Sequence, residues 1–493
     1  MPNIQWSAAF IALLASQPAL SIDVKWHAPK STDINNANKV LNGTGTYGFI
    51  FDSSDTPNKD YGKYNWCNMP HVRSREYPKA QRGYELQYVE VSMLQSDEFS
   101  ADTFQVHRHH KRTPYGSNVF PEEAYPWGCE DQGLYYYGEP IHGKHSAQTY
   151  WKGYQNPITP FKVPGFRGSC NFPQITKEGL DDSWQHGRDL YRVYHDQLRF
   201  LPRRLDPKRV SFRVTNNVIT SQVAGMLVNG MYGTTGNVPL DVESPSIDSL
   251  EPKYSCPRSR STFSDAKKAP NTKWSDVLTR SKDLFAKLDA VSGVPESASD
   301  WHDSYDHYFD NLSARLCHAK PLPCNIEDPS KCITRDQADT IFRLGQFEYS
   351  YVYRDSPTSL AASSSSIGIW LAEVAQHLRD QIAGKDGKML YRHNVAHDGS
   401  ISRILSVLQL DEMVWPGMGS EVVFELYTKK SGKWGQKKEH FVRVLFNGQV
   451  LRSSNPDLGK MDMIPVSTLL GYFDGLVGKK GNLVPGLCET GTQ

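Results

Sequence analysis

The sequence predicts an α/β fold interrupted by a helical insertion, and three patterns predict it. Tyr84 to Leu94 alternates apolar and polar residues, as a half-buried strand does. Val210 to Val214 reads as a second strand, and the run Val218 to Val228 behind it reads as a helix, the alternation of an α/β layer. From about residue 236 to 385 the spacing turns helical, and strand-like runs return after Met389. A helical segment between two halves of one sheet reads as a cap, and the cleft between the layers is the natural place for a site.

Taken in order, residues 1–21 hold the short apolar stretch Ala8 to Ala15, well under the ~20 residues that span a bilayer. Ala19-Leu20-Ser21 places small residues where a signal peptidase reads, so 1–21 is expected to be a secretory signal. Residues 22–83 are rich in Tyr, Asn, Gly and Pro and read as a loop-rich arm whose aromatics pack rather than bind sugar. Residues 84–235 form the first half of the α/β unit. They include a short strand at Thr103 to Val106 and a helix opened by Thr176 as N-cap, with a stripe at Leu180, Trp184, Leu190, Val193 and Leu198. Residues 236–385 are the cap. Val277, Leu278, Leu284, Phe285, Leu288 and Val291 repeat at helical spacing before Gly293. Thr334 to Gln346 and Ile367 to Ala383 follow as helices. Residues 386–493 complete the sheet, with a helix at Ile404 to Leu410 and strands at Glu421 to Tyr427 and His440 to Phe446.

The 493 residues carry 55 Lys and Arg against 54 Asp and Glu, and 38% are hydrophobic. That balance excludes a strongly basic nucleic-acid binder and a disordered acidic chain, and the length suits two or three structural units. Eight Cys, at 67, 129, 170, 256, 317, 324, 332 and 488, all follow the signal and none form a CxxC pair. An even number in a secreted chain implies disulfides, with the connectivity left open. Asn42-Gly43-Thr44 and Asn311-Leu312-Ser313 are glycosylation sequons, so N-glycans are expected at Asn42 and Asn311. No later apolar run is long enough to cross a membrane, and the tail is polar. The mature chain is expected to be extracellular or vacuolar, with no membrane or nucleic-acid partner.

The chemistry concentrates at two places. Arg108, Lys111 and Arg112 set three fixed positive charges around His109 and His110, at a turn closed by Pro114. Arginine forks match phosphate oxygens in a bidentate way, and a neutral His among them can attack phosphorus. The cations around it disfavour a second proton on its ring. The second place is Val395-Ala396-His397-Asp398-Gly399, where a strand-like run ends in His-Asp and a helix follows. An Asp beside a bound phosphate dianion is biased toward its acid form and can protonate a leaving alcohol. The cluster His107, His109, His110, His393 and His397 admits a metal reading, but the surrounding cations would repel a dication. His186 and Arg213 read as structural, and Glu421 and Glu425 as residues paired within the fold.

These motifs together resemble the histidine acid phosphatases, the secreted branch of the histidine phosphatase superfamily that includes phytases. Arg108-His109-His110-Lys111-Arg112-Thr113-Pro114 matches the family's R-H-G-x-R-x-P except at His110. His397-Asp398 matches its His-Asp pair, and Gln174-Ile175-Thr176-Lys177-Glu178-Gly179 its Q-L-T-x-x-G helix start. Gly419 to Tyr427 and Val442 to Asn447 resemble its closing strands. The resemblance implies a three-layer α/β sandwich with a mixed central sheet, an inserted helical cap, and neither metal nor other cofactor. It implies His109 as nucleophile, Asp398 as acid, and Arg108, Arg112 and His397 as phosphate ligands, acting on a small phosphate ester.

Three departures bear on activity. The family's further phosphate-binding Arg falls at Ile219, counted from Arg213 in Phe212-Arg213-Val214-Thr215-Asn216. A charge-assisted hydrogen bond is worth roughly 1.5–3 kcal/mol, so ~10- to 100-fold weaker phosphate binding is expected. His110 replaces Gly and is expected to narrow the pocket or touch substrate. Residues 92–104 stand between the strand and the motif. The leading expectation is a secreted acid phosphatase working through a phosphohistidine. The rival is a weakened or inactive pseudo-phosphatase that binds an anionic or carbohydrate ligand.

Overall fold

The computed structural model describes residues 22–46, 65–94, 109–122, 127–129, 154, 156–158, 168–234, 236–268, 270, 272–429 and 438–489, with side chains given for all of these except 92–94. The expected signal, the strand at Thr103 to Val106, and most of the inserted residues 92–104 lie outside the described residues. The elements in order are α1 (Ala37–Asn42), β1 (Tyr84–Leu94), α2 (Lys177–Tyr191), β2 (Val210–Val214), α3 (Val218–Tyr232) and β3 (Asp241–Val242). Seven helices follow: α4 (Pro257–Lys268), α5 (Lys273–Arg280), α6 (Lys282–Ser292), α7 (Ser299–His302), α8 (Asp306–Cys317), α9 (Arg335–Ser350) and α10 (Ser359–Ile382). The chain closes with β4 (Tyr391–Ala396), α11 (Asp398–Val407), β5 (Val422–Lys429), β6 (His440–Phe446), β7 (Gln449–Val450), β8 (Ile464–Pro465), α12 (Val466–Val477) and α13 (Val484–Cys488).

The sheet runs β3-β2-β4-β1-β5-β6-β7, with β8 on β6. Strands β3, β2, β4 and β1 are parallel, and β5 and those beyond it pair antiparallel, so the sheet is mixed. The alternation in β1 divides its side chains between two cores. Val89 and Val91 pack with Val210, Phe212, Leu190 and Val223 under α2 and α3. Tyr88 packs on the other face with Trp370, Ile404 and Phe473 from α10, α11 and α12. Helices on both faces of one sheet make three layers. On the first face α2 and α3 meet backbone to backbone: a Cβ on Gly187 would lie 2.1 Å from Leu227 O, and one on Gly230 2.0 Å from Trp184 O.

Register aligns the functional ends. Leu94 pairs with Ala396 and Val214 with Val395. The carboxyl ends of β1, β4 and β2 therefore share one edge of the sheet, where open α/β sheets hold their ligands.

Three local differences from the sequence reading have clear causes. The expected helix from Val277 to Val291 is two helices broken at Ser281, whose hydroxyl bonds Val277 O and Tyr305 Oη. Helix α10 begins at Ser359, eight residues before the expected start. The run Ser363 to Ser366 looks like loop, yet all four serines are buried, and Ser365 Oγ returns its hydrogen bond to Ala361 O at 3.0 Å. Helix α10 also falls inside the expected insertion while packing on the sheet: His377 reaches Glu90 of β1, and Trp370 lies against Phe424 of β5.

All eight cysteines are paired, as Cys67–Cys317, Cys129–Cys170, Cys256–Cys488 and Cys324–Cys332. The glycan expectation at Asn311 needs correction. Asn311 is fully buried in α8, its amide donating to Asn118 O at 2.9 Å and accepting from Arg315 Nε, so this fold leaves no room for a sugar there. Asn42, at the end of α1, is exposed. Among the described residues no helix is long and apolar enough to cross a membrane.

Non-reducing peptide mapping should recover these four linkages. The Cys256 and Cys488 bridge closes a separation of 232 residues, so changing both to Ala should cost about 2–5 kcal/mol in urea unfolding.

Candidate active site

The loop after β1 is held by the start of α2. Lys111 O accepts from Thr176 N and from Thr176 Oγ1, both at 3.1 Å. Thr113 N donates to Gln174 O, and Gln174 N donates to Thr113 Oγ1, both at 3.0 Å. Gly179 is required by this contact, since a Cβ there would stand 2.0 Å from Lys111 O. Thr176 caps α2 as expected, accepting from Gly179 N. The run Gln174 to Gly179 is thus a backbone clamp on the segment that carries His109 and Arg112.

His109 is buried, 2% exposed. Its Nδ1 contacts the carbonyl oxygen of His110, and its Nε2 lies 2.5 Å from Arg112 Nε. A carbonyl only accepts and a guanidinium N–H only donates, so the ring is the Nδ1–H tautomer with a lone pair on Nε2. Arg112 is fixed by Asp310 of α8, with NH2 at 3.0 Å and NH1 at 3.2 Å from its two oxygens, and lies over the Tyr115 ring. Burial disfavours its charge, but the Asp310 carboxylate, Tyr115 and Asp398 together outweigh this and raise its pKa. Asp310 also accepts from Tyr115 N and Asn118 Nδ2, so its second oxygen is shared three ways.

Asp398 opens α11 immediately beyond β4, with His397 as the N-cap residue. Trp415 Nε1 donates to Asp398 Oδ2 at 2.8 Å. Trp415 is itself locked between Trp66, Phe309 and a stacked Tyr349. His397 is fully buried, with Nε2 3.3 Å from Thr215 Oγ1 at the end of β2 and 3.7 Å from Glu251 Oε2. The structure brings His109, Arg112, His397 and Asp398 to the same sheet edge, with Arg112 touching His109 and sensing Asp398. Arg108 lies outside the described residues.

His110 does not flank the cleft in the way its size suggests. Its ring is fully buried and turned into α2, with Nδ1 2.9 Å from Ser183 Oγ and an edge on His186. Gly419, at φ +77°, makes room for it, since a Cβ there would sit 2.9 Å from His110 Nε2. Ile219 is in the apolar core beneath α2 and α3, 1% exposed. Arg213 is engaged by Glu243, Glu373 and Asp248 rather than directed to the cleft.

Beneath the loop lies a buried polar layer. Lys111 pairs with Asp182 at 2.8 Å, both fully buried, and burial pushes the Asp182 carboxyl up to about 7 against the pull of Lys111. His186 bonds Glu421 at 3.0 Å and stacks on His71, which bonds Asp189 at 3.0 Å. Burial, followed by the charge of His186, lowers His71 to about 4. Glu425 meets Arg443, Tyr77, Tyr194 and Tyr427 at the far end of the sheet.

Sequence reasoning missed Asp310, Trp415, Thr215 and Glu251. Asp310, Trp415 and Glu251 come from distant elements whose local sequence gives no sign of the site, whereas Thr215 lies in the segment Phe212 to Asn216 already singled out for its arginine.

A family model for the histidine phosphatase superfamily, branch 2, matches residues 104–447. The chain belongs to that superfamily. Among curated relatives, Counting factor 60 of Dictyostelium discoideum is 23% identical over 296 residues, covering 58% of this chain and 65% of that protein. Lysophosphatidic acid phosphatase type 6 of Homo sapiens is 24% identical over 308 residues, covering 60% of this chain and 66% of that one. The match thus spans just under two thirds of either relative. 2-Phosphoxylose phosphatase 1 of Xenopus tropicalis is 21% identical over 282 residues, 57% of this chain and 53% of its own. The Klebsiella sp. ASR1 phytase structure overlays with a TM-score of 0.49 at 15% identity, covering 82% of this chain and 97% of the phytase.

Two predictions test this histidine phosphatase site. Asp310→Ala leaves the Arg112 charge buried and unbalanced and should cost about 3–5 kcal/mol in urea unfolding. His71 titrates near 4 in the folded chain and near 6.5 when unfolded. Its contribution to stability is therefore complete above pH 6.5 and is lost as pH falls toward 4, with a slope approaching about 1.4 kcal/mol per pH unit. Asp182 works in the opposite direction, losing stability as pH rises from 3.8 toward 7. Comparing urea curves of the parent and His71→Asn from pH 4 to 7 isolates the His71 share, and the variant should show the flatter acid limb.

Proposed function

We propose that the protein is a secreted phosphomonoester hydrolase that works at acidic pH through a phosphohistidine on His109. One observation carries this reading: the His109 Nδ1–H is committed to a backbone carbonyl, which leaves Nε2 as the nucleophilic nitrogen, directed at the Arg112 guanidinium. In the reaction, phosphate oxygens take the Arg112 N–H groups from His109. Nε2 forms the bond to phosphorus while the P–O ester bond breaks, and Asp398 in its acid form gives its proton to the leaving oxygen. Water then attacks the phosphohistidine, Asp398 takes its proton back, and phosphate leaves with His109 restored. Arg112, His397 and Arg108 serve as phosphate ligands, and no cofactor enters the scheme. Two relatives are named as phosphatases, one of lysophosphatidic acid and one of 2-phosphoxylose. The same reaction class is proposed for this chain, with the alcohol left open. The paired cysteines support an oxidising compartment, and a glycan at the exposed Asn42 would fit it.

The second reading, an anion-binding protein with little or no turnover, is favoured by Ile219, which puts an apolar core residue where a third arginine is expected.

The decisive test is hydrolysis of an aryl phosphate from pH 3 to 7 by the purified mature chain without added metal. His109→Ala should abolish turnover and the base-stable phosphoenzyme. Asp398→Asn should lower kcat by about 10²- to 10⁴-fold on an alkyl phosphate and less on an aryl one, whose better leaving group needs the proton less. A folded chain without turnover at any pH would support the second reading.

A further inference from the structure

The turn 248–253, after β3, carries a charged pair to His397. We propose that Lys253, tethered through Glu251 to His397, is a phosphate-binding cation of this site, and that Glu251 is its positioning residue. The proposal rests on the hydrolase reading only in placing phosphate beside His397.

The turn is clamped from both sides. Asp248 Oδ1 accepts from Leu250 N at 2.9 Å and Glu251 N at 3.3 Å, while Asp248 O accepts from Lys253 N at 3.1 Å. Arg213 of β2 holds Asp248 and Ser249. On the opposite side Ser400 Oγ, in the first turn of α11, donates to Leu250 O at 2.7 Å. The strand that leads into Thr215 and the helix that begins with Asp398 thus both fix the 248–253 turn. This arrangement gives Arg213 a purpose: it reaches the site through the turn.

The turn delivers one carboxylate with two engagements. Glu251 Oε2 lies 3.7 Å from His397 Nε2, and Glu251 Oε1 lies 2.9 Å from Lys253 Nζ. A bare carboxylate on a phosphate ligand would repel the dianion, so the site needs a cation on that carboxylate. Lys253 is that cation, and its side chain is 34% exposed rather than sealed in the core. Its flexible stem lets the ammonium follow an incoming phosphate while Glu251 keeps it close. An added cation here offsets the charge missing at Ile219.

The test is isothermal titration with inorganic phosphate at pH 5, with steady-state kinetics on an aryl phosphate alongside. Lys253→Met should weaken phosphate binding and raise KM by about 10-fold while kcat changes less than 3-fold. Lys253→Arg should stay within 3-fold of the parent. In a Glu251→Gln background, Lys253→Met should change binding by less than 3-fold, because the tether is already lost. Thermal unfolding checks that each variant is folded. An unchanged phosphate affinity in Lys253→Met overturns the proposal, as does an equal effect in both backgrounds or a parent that does not bind phosphate. A parent that binds phosphate in a Lys253-dependent way without turnover keeps this inference and removes the hydrolase reading.

Discussion

The carbonyl of Lys111 is the fixed point of this site. Two hydrogen bonds from Thr176 converge on it, and Gly179 leaves it the space a side chain would take. Because that carbonyl is immobilised, the residues on either side of it inherit defined directions. Arg112 turns toward Asp310 and His109, Lys111 turns down to Asp182, and His110 turns into α2. Preorganisation of this kind removes the cost of arranging charged groups when an anion arrives. It also explains why a helix N-terminus some 65 residues further along the chain is part of the same structural unit as His109.

The second half of the site is held by packing rather than by backbone hydrogen bonds. Trp415 reaches Asp398 through an indole N–H, and an aromatic cluster of Trp66, Phe309 and Tyr349 prevents the indole from rotating. The Cys67–Cys317 bridge ties the arm that carries Trp66 to the end of α8. Helix α8 also carries Asp310, so one helix braces both the Arg112 guanidinium and the aromatic wall behind Asp398.

Much of this was legible in the sequence, for physical reasons. Strands β1 and β2 announce themselves because burial on a pleat imposes a period of two, and Thr176 because capping needs a short oxygen side chain. The run Arg108 to Pro114 is ambiguous alone, since a basic turn is usually solvated, and it points to a site only in order with Gln174 to Gly179 and His397-Asp398. Contacts that arise only when distant elements meet were not legible. Nothing around Asp310 or Trp415 distinguishes them from other helical or loop residues. The buried serines of α10 fell outside the expected helix because such hydroxyls compete for backbone in isolation, and only burial settles them into it. His110 misled for the same reason: its size was visible, and the cavity prepared for it by Gly419 and Ser183 was not.

Ile219 belongs to the core as fully as to the edge of the site. Its side chain is now part of the apolar layer shared with Leu190, Val223 and Leu227. Returning a guanidinium to that position would require desolvating it inside a core that has closed around a hydrocarbon. Ile219→Arg would therefore disturb the packing of α3 against the sheet as well as add a charge.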